Sequence, residues 1–457
     1  MVNRTGDRNC RLGKKKAAAF EKKCYICNPC QDRSGYFVRL KKTDRMSKQK
    51  IFAVLTAIIL GIVSSFSYKA WGQKPEPSNV VLEQTGGAIT TAVPFLLVSP
   101  DARSGGLADI GAASAPDANS QHWNAAKYPY LSDDLALSLT YSPWLLNMVP
   151  DMSLAYLTAA KKIDPMSTVA FSLLFFSMGE VTFRQVADDP GVNYNPSEFA
   201  IDASYSRKLI EDLSIAVTGR FIYSNLTLGM NVDGVDTKAG LAGAVDIGLY
   251  YQHMFDLKGF EGGLLSFGFN ISNIGNKIAY VSGASTGEKD FLPANLRLGL
   301  GFDWHIDSYN RLAFMGEINK LLVPTPALYD STGAVSAGLD NRVPVFTGII
   351  HSFYDAPGGF KEEMKEIMWS LGAEYWWNNL VSVRLGYFHE SMDKGARQYM
   401  TIGAGIRYNI FGLDLSYLIP TTQVSGSNPL KNTLRFSLLF QFANTKRKAN
   451  QTLPPAE

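Results

Sequence analysis

Four cysteines near the N-terminus, Cys10, Cys24, Cys27 and Cys30, are the first residues whose spacing suggests chemistry. Cys24-x-x-Cys27-x-x-Cys30 could gather three thiolates around zinc or an iron–sulfur cluster. No histidine accompanies them, and they precede an export signal, so neither a metal nor a cofactor is expected in the exported chain. His389-Glu390-Ser391 has the residue types of a hydrolytic site. Neighbouring strand residues point to opposite faces, however, so His389 and Glu390 would sit on either side of one wall. The histidines at 122, 253, 305, 351 and 389 lie in separate segments, and no Gly-x-Ser-x-Gly elbow is present. No catalytic set is expected. The charges that remain informative lie within apolar alternation: Asp202, Arg220, Asp246, Arg297, Asp303, Glu317, Arg384, Arg407 and Arg435. They could line a conduit, but uncompensated charge in a confined interior is costly, so a hydrogen-bonded network is the expectation.

The elements that must position these charges repeat from about residue 134 to 442. Ala294, Leu296, Leu298, Leu300, Phe302, Trp304 and Ile306 alternate with Asn295, Arg297, Gly299, Gly301, Asp303 and His305. One strand face is therefore apolar and the other polar or small. The pattern predicts strands at 134–142, 152–162, 167–177, 197–207, 212–225, 239–255, 262–273, 293–306, 310–320, 367–377, 380–390, 398–408, 411–419 and 433–442. The first three are the least regular. Short connections alternate with long ones, notably 321–366 and 420–432, as periplasmic turns alternate with external loops in outer-membrane proteins. The fold expected is all-β: an antiparallel transmembrane barrel of about 14 strands, with both mature termini periplasmic.

The apolar run Ile51–Phe66, preceded by Lys48 and Lys50 and followed by Ala70-Trp71-Gly72, has the layout of a secretory signal peptide starting at Met46. Residues 1–45 then read as a spurious upstream extension, 46–72 as the signal peptide, 73–133 as an N-terminal hatch or plug, 134–442 as the barrel and 443–457 as a polar tail. Residues 1–72 carry 16 Lys and Arg against 4 Asp and Glu, and the whole chain nets +3, so residues 73–457 net −9. The basic balance belongs to the leader and gives no support for nucleic-acid binding.

The hatch carries a resemblance. Pro100-Asp101-Ala102-Arg103-Ser104-Gly105-Gly106-Leu107-Ala108-Asp109, then Asp117-Ala118-Asn119-Ser120 and Trp123-Asn124-Ala125-Ala126, resembles the start of the PorV family. That family belongs to the type IX secretion system of Bacteroidetes and is related to FadL-type barrels. Asn124-Ala125-Ala126 stands where many relatives carry Asn-Pro-Ala. The resemblance marks Asp101, Arg103, Gly105, Gly106, Asp109, Asp117, Asn119, Trp123 and Asn124 as the hatch motif. It implies a FadL-like barrel that receives type IX cargo C-terminal domains from a SprA-type translocon and presents them to a PorU-type sortase.

The long loop 321–366 is the expected partner contact, through Pro324, Pro326, Val345, Phe346, Phe353, Tyr354 and Phe360, with outer-membrane lipid around the barrel. FadL-type ancestry suggests the competing reading, a transporter of hydrophobic small molecules. That reading needs an apolar pocket and a wall opening, for which a strand kink near Ser177-Met178-Gly179 is the candidate.

Overall fold

The computed structural model describes residues 88–143, 151–184, 190–227, 229–232, 235–257, 259–284, 289–421 and 433–442. The expected upstream extension and signal peptide, the first part of the expected hatch (73–87) and the expected polar tail lie outside these residues. Apolar residues at every second position make strands with one greasy face, and closing the sheet on itself removes its edges. The strands are β1 (Leu135–Pro143), β2 (Met152–Lys162), β3 (Ser167–Met178), β4 (Ser197–Lys208), β5 (Leu213–Asn225), β6 (Gly240–Phe255) and β7 (Gly262–Gly275). They continue as β8 (Asn295–His305), β9 (Asn310–Leu321), β10 (Met368–Trp377), β11 (Val381–His389), β12 (Gln398–Tyr408), β13 (Phe411–Pro420) and β14 (Leu434–Phe442). They pair in chain order into one closed antiparallel barrel, and β14 returns to β1, with Leu135 opposite Phe442. Each strand expected from alternation is present, with ends shifted by at most two residues.

The outward residues form the lipid-facing band: Leu139, Leu157, Phe171, Ile201, Phe221, Leu300, Leu371 and Ile402 are each at least 40% exposed. Among the described residues no helix is long and apolar enough to cross a membrane. Connections at one end are short, 163–166, 209–212, 256–261, 306–309, 378–380 and 409–410, while those at the other are long. Local chemistry makes the short turns. Asp164 accepts the Met166 and Ser167 N–H groups at 2.7 and 2.8 Å. Asn378 and Asn379 both take left-handed φ, 54° and 51°, as the two central residues of a tight turn closed by the Leu380 N–H on the Trp377 carbonyl at 3.0 Å.

The ladder between β3 and β4 runs without a register shift to Ser177 opposite Ser197. The wall irregularity lies elsewhere, between Val245 and Ile247 where β6 meets β7. A kink at Ser177-Met178-Gly179 is therefore not what interrupts the wall.

Residues 88–134 fill the barrel. A 3-10 turn (Pro94–Leu97) sits toward the long-loop end, with Val93, Phe95 and Leu96 packed on Leu154, Tyr156, Leu174, Phe176 and Ile222 of the inner wall. Helix α1 (Ala102–Gly105), helix α2 (Ser120–Trp123) and a second 3-10 turn (Ala125–Tyr130) follow. The last packs at the short-turn end on Ala136, Ala160, Ala170 and Ala216, small inward residues that leave room for it.

Small residues also allow the closest approach. A Cβ on Gly268 of β7 would stand 2.0 Å from the Ala112 carbonyl oxygen. Gly268→Ala should therefore unseat the segment and cost at least about 1–3 kcal/mol. Gly219→Ala, on the outer face with nothing within 4 Å of the added carbon, should stay within about 0.5 kcal/mol. Thermal midpoints in detergent and the heat-dependent electrophoretic shift test the pair, and equal behaviour of the two variants would contradict the packing.

Candidate functional site

Two assemblies offer function, the filled lumen and the long loop above it. In the lumen, Asp101 caps α1 by accepting the Ser104 N–H at 2.9 Å, and its other oxygen accepts the Trp123 indole N–H at 2.7 Å. This ties the two halves of the hatch motif together. Two residues on, Arg103 extends a guanidinium whose three nitrogens all donate. It donates to Asp117 at 2.9 Å, to the Ala115 carbonyl at 2.8 Å, and to both oxygens of Glu374 on β10 at 3.0 and 2.8 Å. Gly105 and Gly106 let this helix lie against the wall, since a Cβ on Gly106 would be 3.1 Å from the Gly403 Cα. Asp109 accepts from the Tyr399 hydroxyl at 2.6 Å. Asp117 also accepts the Asn119 N–H at 3.0 Å, and Asn124 donates to the Ala112 and Leu249 carbonyls at 3.1 and 3.0 Å.

The lumen charges gather in groups around this segment. Arg220 joins Asp202 at 2.7 Å and Asp246 at 3.0 Å and also donates to Asn273, at the site of the wall irregularity. Arg297 meets Glu317 at 3.1 Å and lies over the Trp123 ring at 4.7 Å. The other Glu317 oxygen accepts the Gly111 and Ala112 N–H groups at 2.9 and 2.8 Å. Arg384 bridges Glu374 and Asp414 at 2.7 and 2.8 Å, and Arg407 closes on Asp414 at 2.6 Å. Asp303 stands apart, near Arg311 at 3.5 Å toward the short-turn rim. Arg435 donates to the Ser99 carbonyl at 3.1 Å.

Glu374 and Asp414 were not among the residues singled out, although both occupy the polar phase of their strands. Lys127, fully buried and donating to the Gly111 carbonyl and Ser114 hydroxyl, was missed for lack of any pattern around it. Burial pushes its ammonium down to about 8. His389 stacks on Trp369 outside the wall, with ring centres 5.0 Å apart, while Glu390 turns inward to Arg397 at 2.7 Å.

The loop 322–367 carries helix α3 (Val345–His351) and helix α4 (Phe360–Lys365). Phe346, Ile350, Phe353, Tyr354 and Phe360 are 51–77% exposed. Val345 and Pro326 are half-buried, and Pro324 is buried beneath Gly348, so Pro324 offers no outer surface. A charged latch holds the loop down. Lys320 reaches Glu363 and Glu366 at 3.1 and 2.7 Å, and Lys394 reaches Glu362 and Glu366. Asp355, also buried, accepts the Thr325 N–H at 3.1 Å. Burial, then the charge of Glu363, pushes its carboxyl up to about 7. Glu366, which burial would raise, is held below its ordinary value by hydrogen bonds from Lys320 and Thr325. Under the loop is a cavity of about 490 Å³, bounded by Leu97, Val98, Leu321, Met368, Leu418 and Arg397 among others.

A family model described as type IX secretion system protein PorV matches residues 81–328. No curated protein matches the chain. Among solved structures, a Pseudomonas aeruginosa FadL homologue is 12% identical, with 78% of this chain and 100% of that one covered and a TM-score of 0.38. The Pseudomonas putida toluene transporter TodX is 11% identical, with coverage of 78% and 98% and a TM-score of 0.41. Likenesses at that level carry no argument about this chain.

Two outcomes follow from the geometry. Arg103→Ala leaves Glu374 and Asp117 buried with a lost partner and should cost about 3–5 kcal/mol. Unchanged detergent stability with an unchanged electrophoretic shift would refute the role given to Arg103. The latch should respond to pH. Asp355 binds its proton more tightly in the closed loop than in an open chain, so the closed loop loses stability as pH rises from about 4 to about 7. Glu366 acts in the opposite sense only in more acidic solution, below its ordinary range. Amide exchange in α3 should therefore be slower at pH 5 than at pH 8 after correction for intrinsic rates, and Asp355→Asn should remove that difference.

Proposed function

Because the chain belongs to the PorV family, outer-membrane components of type IX secretion, we propose that it is a membrane-held platform that binds cargo C-terminal domains leaving a SprA-type translocon and hands them to a PorU-type sortase. The observation that carries this reading is the contrast between the filled lumen and the outward loop. Asp101, Arg103 and Glu317 hold residues 88–134 inside the barrel through buried ionic and backbone contacts, so a large substrate has no ready path through it. By contrast, α3 and α4 present Phe346, Phe353, Tyr354 and Phe360 to the outside. Exposed apolar surface of that kind suits a protein contact. The short turns and both mature termini then face the periplasm, and residues 73–133 act as the hatch.

A second reading keeps one observation in its favour. The cavity under the loop is lined partly by Leu97, Val98, Leu321, Met368 and Leu418, which suits a hydrophobic small molecule. The hydrogen-bonded hatch beneath it would have to move for transport.

Deletion of 325–359 should leave the barrel in the outer membrane and abolish co-purification with translocon subunits and cargo, leaving cargo unattached at the surface. Intact co-purification would refute the loop's role. Lipid alone in the native pull-down, with neither cargo nor translocon, would favour the transporter.

A further inference from the structure

The lipid-facing surface of β6 ends, on the long-loop side, at a cavity lined by three lysines. From Tyr251 to Leu241 the outward residues of this strand are apolar or glycine, and Ile247, Val245 and Leu241 are 41%, 42% and 57% exposed. At about 3.3 Å per residue and a tilt of roughly 40°, that run stands about 25 Å tall, the height of a lipid-facing band. Below it comes the exposed pair of His253 and Asp212 at 2.7 Å. Its upper edge is marked by Tyr223, which lies opposite Leu241 and stacks on Phe199 with ring centres 5.1 Å apart. Aromatic rings at that level belong to the headgroup boundary.

Above Leu241 the pairing of β6 with β7 continues as a hairpin. The Lys238 N–H donates to the Tyr280 carbonyl at 2.8 Å, and Thr237 bridges Val281. A cavity of about 430 Å³ is bounded here by Leu241, Ala279 and Val281 and by Lys238, Lys277 and Lys289, with no carboxylate among the described residues of its lining. Among the described residues the lysine ion pairs are those of Lys320, Lys365 and Lys394, so none engages these three. Asn276 fixes the backbone beneath Lys277: its amide donates to the Lys277 carbonyl at 3.1 Å, and its oxygen accepts the Gly243 N–H at 2.8 Å. The Lys277 ammonium stands 3.9 Å from the Phe291 ring centre. Three carboxylates belong to the surroundings but not to the lining. Asp236 accepts the Asn231 amide at 2.9 Å, and Asp290 and Asp340 act on Lys277 without touching it. Their pull does not compensate, since burial draws the Lys277 ammonium below its ordinary range in spite of both.

An occupant of this cavity must be anionic toward the lysines and apolar toward Leu241. A free anion meets only the first demand. We propose that the cavity holds a phosphate of a phosphorylated glycolipid of the outer leaflet, with Lys238, Lys277 and Lys289 around the phosphate and an acyl chain descending past Leu241, Val245 and Ile247. The phosphate then lies at the headgroup level and the chain within the apolar band, so depth and charge agree. The inference rests on the barrel lying in an outer membrane with its long loops outward, as the proposed function requires, but not on cargo or on the 322–367 loop.

The test reconstitutes the full chain in phosphatidylcholine vesicles containing about one tenth diphosphoryl lipid A. The protein is re-extracted in mild detergent, and the lipid retained per barrel is counted by native mass spectrometry. The unsubstituted chain should retain diphosphoryl lipid A in preference to its dephosphorylated form, and millimolar inorganic phosphate should leave that retention unchanged. Lys277→Ala should lower retention about fivefold, with a similar factor for each of Lys238→Ala and Lys289→Ala added to it. Lys277→Arg should preserve it, and Leu241→Asp should lower it with all three lysines in place. The heat-dependent electrophoretic shift checks that each variant barrel is closed. Unchanged retention in the triple alanine variant, or equal retention of the dephosphorylated lipid, would overturn the site. Displacement by inorganic phosphate would also overturn it and leave a free anion as the occupant. Phosphatidylcholine retained without lipid A would overturn the site alone. Retention of neither lipid would be a failure of the membrane reading, and this inference would fall with it.

Discussion

The carboxylate of Glu374 is the constraint on which the rest of the lumen depends. It is about 1% exposed, and it receives Arg103 from the inserted segment and Arg384 from the neighbouring strand. A lone carboxylate at that depth would be untenable, and two guanidinium groups share the burden of keeping it charged. Asp117 and Asp414 in turn balance the two arginines. The result is a chain of alternating charge from the inserted segment through the wall strands to Arg407. No member can be neutralised alone without stranding its neighbour, which makes the filled barrel one cooperative unit.

That dependence explains what the sequence made legible. Strand alternation reports only which face a residue takes, and the lipid face is uniform enough for that signal to place all fourteen strands. The inner face is not uniform, because it meets a second piece of chain. Leu154, Tyr156, Leu174 and Phe176 face inward against Phe95 and Leu96, so β2 and β3 are apolar on both sides and their alternation fades. The irregularity of the early strands was therefore the imprint of the inserted segment. Glu374 and Asp414 were readable from the polar phase of their strands, yet their pairing with Arg384 comes only from register. Lys127 was not readable at all. Its partners are the Gly111 carbonyl and the Ser114 hydroxyl, and a backbone carbonyl leaves no mark in the side-chain pattern.

The long-loop end uses charge pairing for a different purpose from that in the lumen. At the long-loop end, lysines from β9 and from the connection after β11 draw the acidic residues of α4 down onto the rim. This frees the apolar residues of α3 to face outward, because the loop is held by charge and needs little hydrophobic cover. A loop held by greasy packing would have buried Phe346 and Phe353. Here they are left exposed, as the proposed contact surface would require.

A barrel filled this way is poorly suited to be a pore. Withdrawing the inserted segment would separate Arg103 from Glu374, take the Gly111 and Ala112 N–H groups off Glu317, and pull Phe95 and Leu96 out of an apolar pocket. The first of these alone is worth several kcal/mol, and the three occur on different strands, so no single local motion releases them. The same rigidity suits the proposed platform role, which needs the 322–367 loop held at a fixed height above the rim. The wall stays closed and in register, so conformational freedom is left to the loops, where water can replace the ion pairs of Lys320 and Lys394. On the proposed platform role, the working surface is therefore the outer end of the barrel and not its inside.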